Sequence, residues 1–547
     1  MKQHKKLISL LVASAWLVQG AGFAVVPALA DDPGRFHVSL NGDGPADLVV
    51  GVPFENVGAV VDAGAINVIY GAVDAGLVAA GNRIWDQAIA GMDSPAETSD
   101  TFGKALAIGN FNGDAYADVA VGVPGEGVGA INGAGAVHIL YGSASGITVT
   151  GDQWWNQDSP NIEGGAEAND AFGSSLAAAD FNRDGYTDLA VGVPSEEVSG
   201  QGSAGAVNVL YGSSGGLSAA NDRMFHQDSA LITDSAEAGD QFGRALAAGD
   251  FDGNGYADLA IGVPNENYAA GHTDDGAVHV LYGSSGGLTA TGSDIWNQDL
   301  GLDDAAEDWD YFGYALATGD FDGDGYSDLA VGVYGENIGS PTIFDAGAVN
   351  VIYGSAGGLT TSGDQFWHQD IANVQDTAED FDDFGMALTT GDFNGDGFAD
   401  LAVGVPYEDI VAPADAAGAV NVIYGSVNGL SATAVPDQFW NQGSSGLGTT
   451  AEVGDEFGYA LTAGDFNQDG FADLVVGAPY EDVVNVDVGL ISVIRGSANR
   501  LTSTGSQVWY QSHSGLDGAA EASDRFGYAL AASGALLELY MPDLTNQ

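Results

Sequence analysis

Asp320, Asp322, Asp324 and Asp328 occupy positions 1, 3, 5 and 9 of the stretch "DFDGDGYSD", with Gly325 at position 6. Carboxylates this close repel one another unless a cation sits among them. The residue types suit a hard cation, since Ca²⁺ takes about six to eight oxygens at about 2.3–2.6 Å. Odd positions of a tight loop can converge, the carbonyl of Tyr326 at position 7 can join them, and glycine at position 6 permits a left-handed turn. A helical calcium hand would place glutamate at position 12. Here position 12 is Val331, inside a run of strand character, so the expected element is a calcium-binding β-hairpin loop.

Six further stretches repeat the pattern in phase. Four are well supplied with oxygens: Asp180, Asn182, Asp184, Tyr186 and Asp188; Asp250, Asp252, Asn254, Tyr256 and Asp258; Asp392, Asn394, Asp396, Phe398 and Asp400; Asp465, Asn467, Asp469, Phe471 and Asp473. In each, the aromatic residue at position 7 contributes only its carbonyl. A fifth offers Asn110, Asn112, Asp114 and Asp118, and has Ala115 where glycine belongs, a change expected to cost about 1 kcal/mol or more in a left-handed turn. The first offers Ser39, Asn41, Asp43 and Asp47. The expectation is up to seven Ca²⁺, bound most tightly by the 320 loop and most weakly by the loops at 39–47 and 110–118. An isolated Asp/Asn/Gly loop is ordinarily a plain polar turn; seven in-phase copies favour a metal.

The loops recur because the whole chain does. Phe-Gly pairs begin units at Phe102, Phe172, Phe242, Phe312, Phe384, Phe457 and Phe526, about 70 residues apart. A unit holds four strand-like stretches, "YALATGDF", "DLAVGV", "GAVNVIYG" and "DQFWHQD" in the copy at 312, and the aspartate loop lies between the first two. No window after the first 30 residues has a helical period. Four strands repeated radially describe a β-propeller blade. The last three strand types each occur seven times with the phase offset, so the repeat region starts on a second strand and ends on a first, "FGYALAAS" at 526–533. The predicted fold is all-β: a seven-bladed β-propeller of four-stranded blades over residues 31–547, closed by pairing of C-terminal and N-terminal strands. Residues 36–40, "FHVSL", are the competitor for the closing position. A β-helix needs short coils of fixed length, and a linear array needs polar caps rather than complementary ends.

Composition narrows the setting. The 547 residues include 76 acidic and 12 basic ones, a net charge of −64, and no cysteine. Repulsion excludes nucleic acid as a partner. Disulfides are excluded too. Disorder is the usual outcome of such acidity, but 45% of the residues are apolar and they are regularly patterned. Residues 1–30 read as an export signal: Lys2, Lys5 and Lys6 precede the apolar run from Leu7 to Val18, and Ala28-Leu29-Ala30 fits a cleavage site. No later stretch is apolar enough to span a bilayer. The expected location is extracellular or at the cell surface, with the periplasm an alternative.

A second acidic pattern, Ala-Glu-x-x-Asp-x-Phe-Gly, precedes every Phe-Gly: Glu97/Asp100, Glu167/Asp170, Glu237/Asp240, Glu307/Asp310, Glu379/Asp382, Glu452/Asp455 and Glu521/Asp524. Glutamates also follow most "GVP" strand ends, at Glu55, Glu126, Glu266, Glu336, Glu408 and Glu481. Both patterns lie in the loops expected opposite the aspartate hairpins. The pairs read first as loop caps accepting backbone N–H groups, and second as a cation-binding surface. Catalytic signals are few. "GSSGG" at 212–216 recurs at 283 as a strand-connecting turn, which is not the strand-to-helix setting of a nucleophile elbow. His138, His226, His279 and His368 recur with the repeat and read as structural.

The Phe-Gly, the aspartate loop and the following "VGVP" together resemble the FG-GAP repeat, the unit of the seven-bladed head of integrin α subunits and of many exported bacterial proteins. The resemblance covers about 31–534, with departures: only Gly477-Ala478-Pro479 spells the second half of the name, and one copy reads Gly332-Val333-Tyr334. It implies Ca²⁺ at positions 1, 3, 5, 7 and 9 on one face and adhesion or ligand binding on the other. The expected function is therefore a non-enzymatic calcium-binding adhesion or ligand-binding module with a protein or glycan partner. A carbohydrate-active enzyme, hydrolase or lyase, with its site on the loop face is the alternative.

Overall fold

The motifs "DLAVGV" and "AVNVLY" form strands buried along their whole length, β9 (Asp188–Val193) and β10 (Ala206–Tyr211). Strands without an exposed face must be covered on both sides by other sheets. Within the same blade β11 (Ser218–Phe225) mixes buried and exposed residues, and β8 (Ser175–Ala179) is built of small residues and Leu176. The order β8-β9-β10-β11 makes one antiparallel four-stranded sheet, and seven such sheets make up the computed structural model. The model describes residues 39–534 except 270, 340, 411–415 and 514.

Small residues let the first strands converge. β4 (Ala105–Gly109), β8, β12 (Ala245–Gly249), β16 (Leu316–Gly319), β20 (Ala387–Gly391), β24 (Ala460–Gly464) and β28 (Ala529–Ala532) meet in sequence, and β28 returns to β4. The result is a closed ring, the seven-bladed propeller expected from the repeat. The closing blade is β28-β1-β2-β3, with β1 at Leu48–Val52, β2 at Ala65–Ala72 and β3 at Gly76–Trp85. Its register pairs Leu48 with Ala532 and Gly51 with Ala529. The closing strand is thus C-terminal. Of the competitor, Ser39 and Leu40 sit in the first hairpin loop and not in a strand, while 36–38, like the predicted export signal at 1–30, lie outside the described residues.

Phe-Gly is the joint between blades. Phe242 is fully buried in a core cluster drawn from two successive blades. Its backbone bridges Gly205, and its N–H donates to Ala204 O at 2.9 Å. Gly205 has φ +86°, and a Cβ there would fall 2.4 Å from the Phe242 backbone, so both conformation and space require glycine. His138 and His279 lie buried in third strands against Phe102 and Phe242, ring centroids 5.7 and 5.5 Å apart.

Candidate metal centre

Each aspartate loop joins the first and second strands of a blade. Position 9 opens the second strand, as in the register pair Gly109–Asp118, and is fully buried in all seven copies. Position 2, leucine in the first loop and phenylalanine in the rest, is fully buried too and pins the loop to the core. Its N–H donates to Oδ2 of the position-9 aspartate in six loops, from Leu40 to Asp47 (2.8 Å) through Phe393 to Asp400 (2.9 Å). The other oxygen, Oδ1, accepts from a glycine at or just past the end of the third strand: Gly71, Gly142, Gly212, Gly283, Gly354, Gly425 and Gly496, all at 2.8–3.0 Å. The sequence forces this: a buried carboxylate must find donors, and the strand ends supply backbone N–H groups.

The remaining odd positions fold over the loop. Asp320 accepts the Asp324 and Gly325 N–H groups on its two oxygens, Asp322 Oδ1 accepts Asp324 N–H, and Asp324 Oδ1 accepts Tyr326 N–H, at 3.0–3.1 Å. Gly325 has φ +92°, as the sequence required. The same bonds recur in the loops at 180, 250, 392 and 465. Ser39 Oγ stands in for the first aspartate, accepting from Asp43 (3.1 Å) and Gly44 (3.4 Å).

The loop at 110 departs from the expectation for it. Ala115 stays out of the left-handed region, so the anticipated strain is absent. The cost takes another form: Asn110 turns its amide to the Asp114 carbonyl (2.7 Å), and its Oδ1 is buried without a partner.

Do these residues fit a hard dication? Oxygens that share a Ca²⁺ lie at most about 5 Å apart. Asp320, Asp322 and Asp328 each offer an oxygen within 4.8 Å of the others, as do Asp250, Asp252 and Asp258. The charge also asks for one. Burial pushes Asp188, Asp258, Asp328 and Asp400 up to about 8, and Asp47 and Asp118 to about 7, with neighbouring loop aspartates adding to the rise. Carboxylate acceptors have lone pairs left after one hydrogen bond per oxygen. The donor set therefore fits calcium in the 250 and 320 loops, where the described residues bring three carboxylates together. In the 180, 392 and 465 loops an asparagine holds position 3, so an amide oxygen replaces one carboxylate.

The 465 loop has a cation of its own. Where the other blades carry Tyr70, Tyr141, Tyr211, Tyr282, Tyr353 and Tyr424, directly before the glycine that donates to the position-9 aspartate, this one carries Arg495, whose Nη1 lies 2.6 Å from Asp473 Oδ2. Asp473 accordingly rises only to about 6, burial raising it and Arg495 pulling it back. Residue counting alone misses this.

The seven loops are also stitched into a ring. The N–H at position 8 donates to the position-1 carbonyl of the preceding blade: Ala117 to Ser39, Thr187 to Asn110, Ala257 to Asp180, Ser327 to Asp250, Ala399 to Asp320, Ala472 to Asp392, and Ala46 to Asp465, at 2.9–3.3 Å.

At the other end of the blades the Glu-x-x-Asp pairs cap their loops as expected: the glutamate N–H donates to Oδ2 of the aspartate three residues on in all seven. The glutamates after the second strands are buried and accept a glutamine Nε2, and Glu196, absent from the sequence pattern above, is one of them. The glutamines come from the Trp/Phe-x-Gln strand ends; a separation of 39 residues in five pairs and 38 in a sixth is the signal that could have found them, while Gln511 reaches Glu55 across the ring closure. On this same loop face Trp309, Tyr311, Tyr334, Phe381 and Tyr407 line a cleft of ≈ 620 Å³ with Asp345, Glu379, Asp380, Asp382, Asp383 and Asp409. Tyr311 and Tyr334 stack at 5.0 Å, and Trp309 and Phe381 are each more than half exposed. Burial, then the neighbouring Asp345 and Asp382, pushes Asp383 up to about 8.

Residues 102–140, 172–210, 242–281, 312–352, 384–423 and 457–494 match the FG-GAP repeat family. Integrin alpha-PS2 of Drosophila melanogaster is 32% identical over 49% of this chain and 18% of its own length. Phosphatidylinositol-glycan-specific phospholipase D of Bos taurus is 32% identical over 30% of this chain and 19% of its own. The chain thus spans about a fifth of the length of these curated relatives. Among solved structures, the exotype rhamnogalacturonan lyase YesX aligns over 84% of this chain and 60% of its own, with 12% identity and a TM-score of 0.33.

Proposed function

For a chain that carries six FG-GAP repeats and resembles the integrin alpha propeller, we propose the role of an exported, calcium-binding adhesion or ligand-binding module without catalytic turnover. The observation that carries the calcium reading is the convergence of three carboxylates in the 250 and 320 hairpins, each set including a fully buried aspartate. Calcium supplies positive charge among carboxylates that otherwise repel. Asp320, Asp322 and Asp328 would hold it with Asp324 and the Tyr326 carbonyl, and the equivalent residues would do so in the other loops. The position-9 aspartates carry the effect into the fold, because each ties the hairpin to the end of the third strand. The position-1 carbonyls carry it from blade to blade.

Ligand binding belongs to the opposite face. Trp309 and Phe381 offer exposed rings in an acidic cleft, which suits a basic or aromatic protein segment or a glycan with stacking sugar faces. The resemblance to integrin alpha chains supports a protein partner at a cell surface or matrix, and the exposed rings of the cleft leave a glycan as the other candidate. No helix among the described residues is long and apolar enough to cross a membrane. The test is binding to an array of glycans and matrix proteins, with and without chelator, by the parent and by Trp309→Ala. Calcium-dependent binding that the variant loses, with no product formed, supports the module.

One observation favours a second reading as a carbohydrate-active enzyme. A carboxyl held near pKa 8, Asp383, lies in the aromatic cleft beside Asp345 and Asp382 and suits a general acid. Release of reducing ends or unsaturated products from a polysaccharide, lost in Asp383→Asn, would replace the first reading by this one.

A further inference from the structure

Two buried oxygens at the loop end, where two successive blades meet, have no hydrogen-bond partner although carboxylates lie beside them. Gln298 is fully buried; its Nε2 donates to Glu336 Oε2 at 2.7 Å, while its Oε1 accepts from nothing. Asp310 is fully buried; its Oδ2 accepts the Glu307 N–H, while its Oδ1 is partnerless. Glu307, Asp310 and Glu336 each present an oxygen within 4.8 Å of the others. A buried acceptor left empty costs about 1–3 kcal/mol, and nearly all buried polar groups avoid that state. Converging carboxylate oxygens, one of them a buried orphan, with a second orphan amide oxygen on the side chain that bonds Glu336, are the ligand types of a hard cation.

We propose that Gln298 Oε1, Asp310 Oδ1 and the Glu336 and Glu307 carboxylates bind a divalent cation of the calcium class, in a site separate from the aspartate hairpins. The next blade repeats it. Glu379, Asp382 and Glu408 converge within the same limit, Gln369 Nε2 donates to Glu408 at 2.5 Å, and Gln369 Oε1 is partnerless. The partnerless buried Oε1 recurs at Gln87, Gln157, Gln227, Gln298, Gln369, Gln442 and Gln511, in every blade. Seven identical orphans are a built feature and not a local fault.

The charge agrees. Burial pushes Glu336 up to about 10 and Glu408 to about 9, and in each case neighbouring aspartates raise it further. The ion pairs among the described residues, His272–Asp308, His279–Asp234 and Arg495–Asp473, involve none of the Glu336 or Glu408 cluster members. A proton shared between Glu336 and an aspartate is the rival way to relieve the charge.

Crystals of the whole chain soaked in a lanthanide or Mn²⁺ separate the two. An anomalous peak within about 2.6 Å of Gln298 Oε1 and a Glu336 oxygen is expected, lost in Glu336→Gln while the peaks of the other blades persist. Asp310→Asn, which keeps shape and removes charge, is read the same way if Glu336→Gln does not fold. The hairpin peaks report separately on the hairpin reading, so a peak here with empty hairpins upholds this proposal alone. Filled hairpins with no peak at Gln298 overturn it. So does an infrared band of a protonated carboxyl in the calcium-saturated protein at neutral pH that Glu336→Gln removes.

Discussion

Arg495 Nη1 lies 2.6 Å from Asp473 Oδ2 and occupies the oxygen that receives a backbone N–H in the other six hairpins. A guanidinium therefore already holds one of the seven position-9 carboxylates. Arg495→Tyr would install the residue found at this point in the other blades. Without calcium it leaves a buried carboxylate uncompensated, a loss of about 3–5 kcal/mol. With calcium the ion takes over the charge and the loss shrinks. Thermal melts of parent and variant, each in calcium and in chelator, measure this. An equal loss in both conditions would refute the link between Asp473 and the ion.

Chelation is expected to lower the melting temperature of the parent protein. Anything bound only by the native state stabilises it by about 2.7 kcal/mol per site at a hundredfold excess over Kd. Calorimetry across a calcium series should show a melting temperature that rises with the logarithm of free calcium. A flat series means that the loops do not bind.

The hairpins should rank by their oxygens. Asp322→Ala is expected to remove the tightest phase of a calcium titration, because the 320 loop alone has carboxylates at all four side-chain positions. Asn112→Ala is expected to leave the isotherm nearly unchanged, because the Asn110 side chain is turned to the Asp114 carbonyl. The reverse result would refute the ranking.

Stability without calcium should fall as pH rises. Burial raises Asp188, Asp258, Asp328 and Asp400 in the folded chain to about 8, against about 3.9 when unfolded. Between those values the native state holds more protons than the unfolded one, so stability is greatest below about pH 4 as far as these groups decide it, and is lost as pH climbs toward 8. Calcium binds the ionised form and should flatten the slope. Chelated melts between pH 5 and 8 test the sign; a melting temperature that increases over that range contradicts it.

Period, blade number and phase were legible in the sequence because a 70-residue repeat displays each element seven times. Strand type followed from the fully buried "DLAVGV" run, and the hairpins from oxygens at alternate positions. Pairwise chemistry between distant residues was not legible. Gln298 and Glu336 meet only because the exit of the fourth strand and the exit of the next blade's second strand share one end of the ring. Arg495 stands where the other six units carry tyrosine, but nothing in the sequence says that the third strand delivers it to Asp473. Ala115 was expected to suffer a left-handed turn, but the loop had room to avoid that conformation and gave up a hydrogen bond to Asn110 instead.

The closing blade also sets how the ring answers to pulling. β1 and β28 run antiparallel, with Leu48 opposite Ala532 at one end and Gly51 opposite Ala529 at the other. Tension applied through the residues flanking 47 and 533 loads the Asp47–Ser533 end first, where Asp47 N–H donates to Ser533 Oγ at 2.8 Å and Ser533 N–H to Asp47 O at 2.9 Å. The rungs then open in succession, as in a zipper, and do not share the load as sheared strands would. Asp47 is also the ninth position of the first hairpin, where serine and asparagine hold positions 1 and 3. An ion bound there would reinforce the rung that such tension opens first.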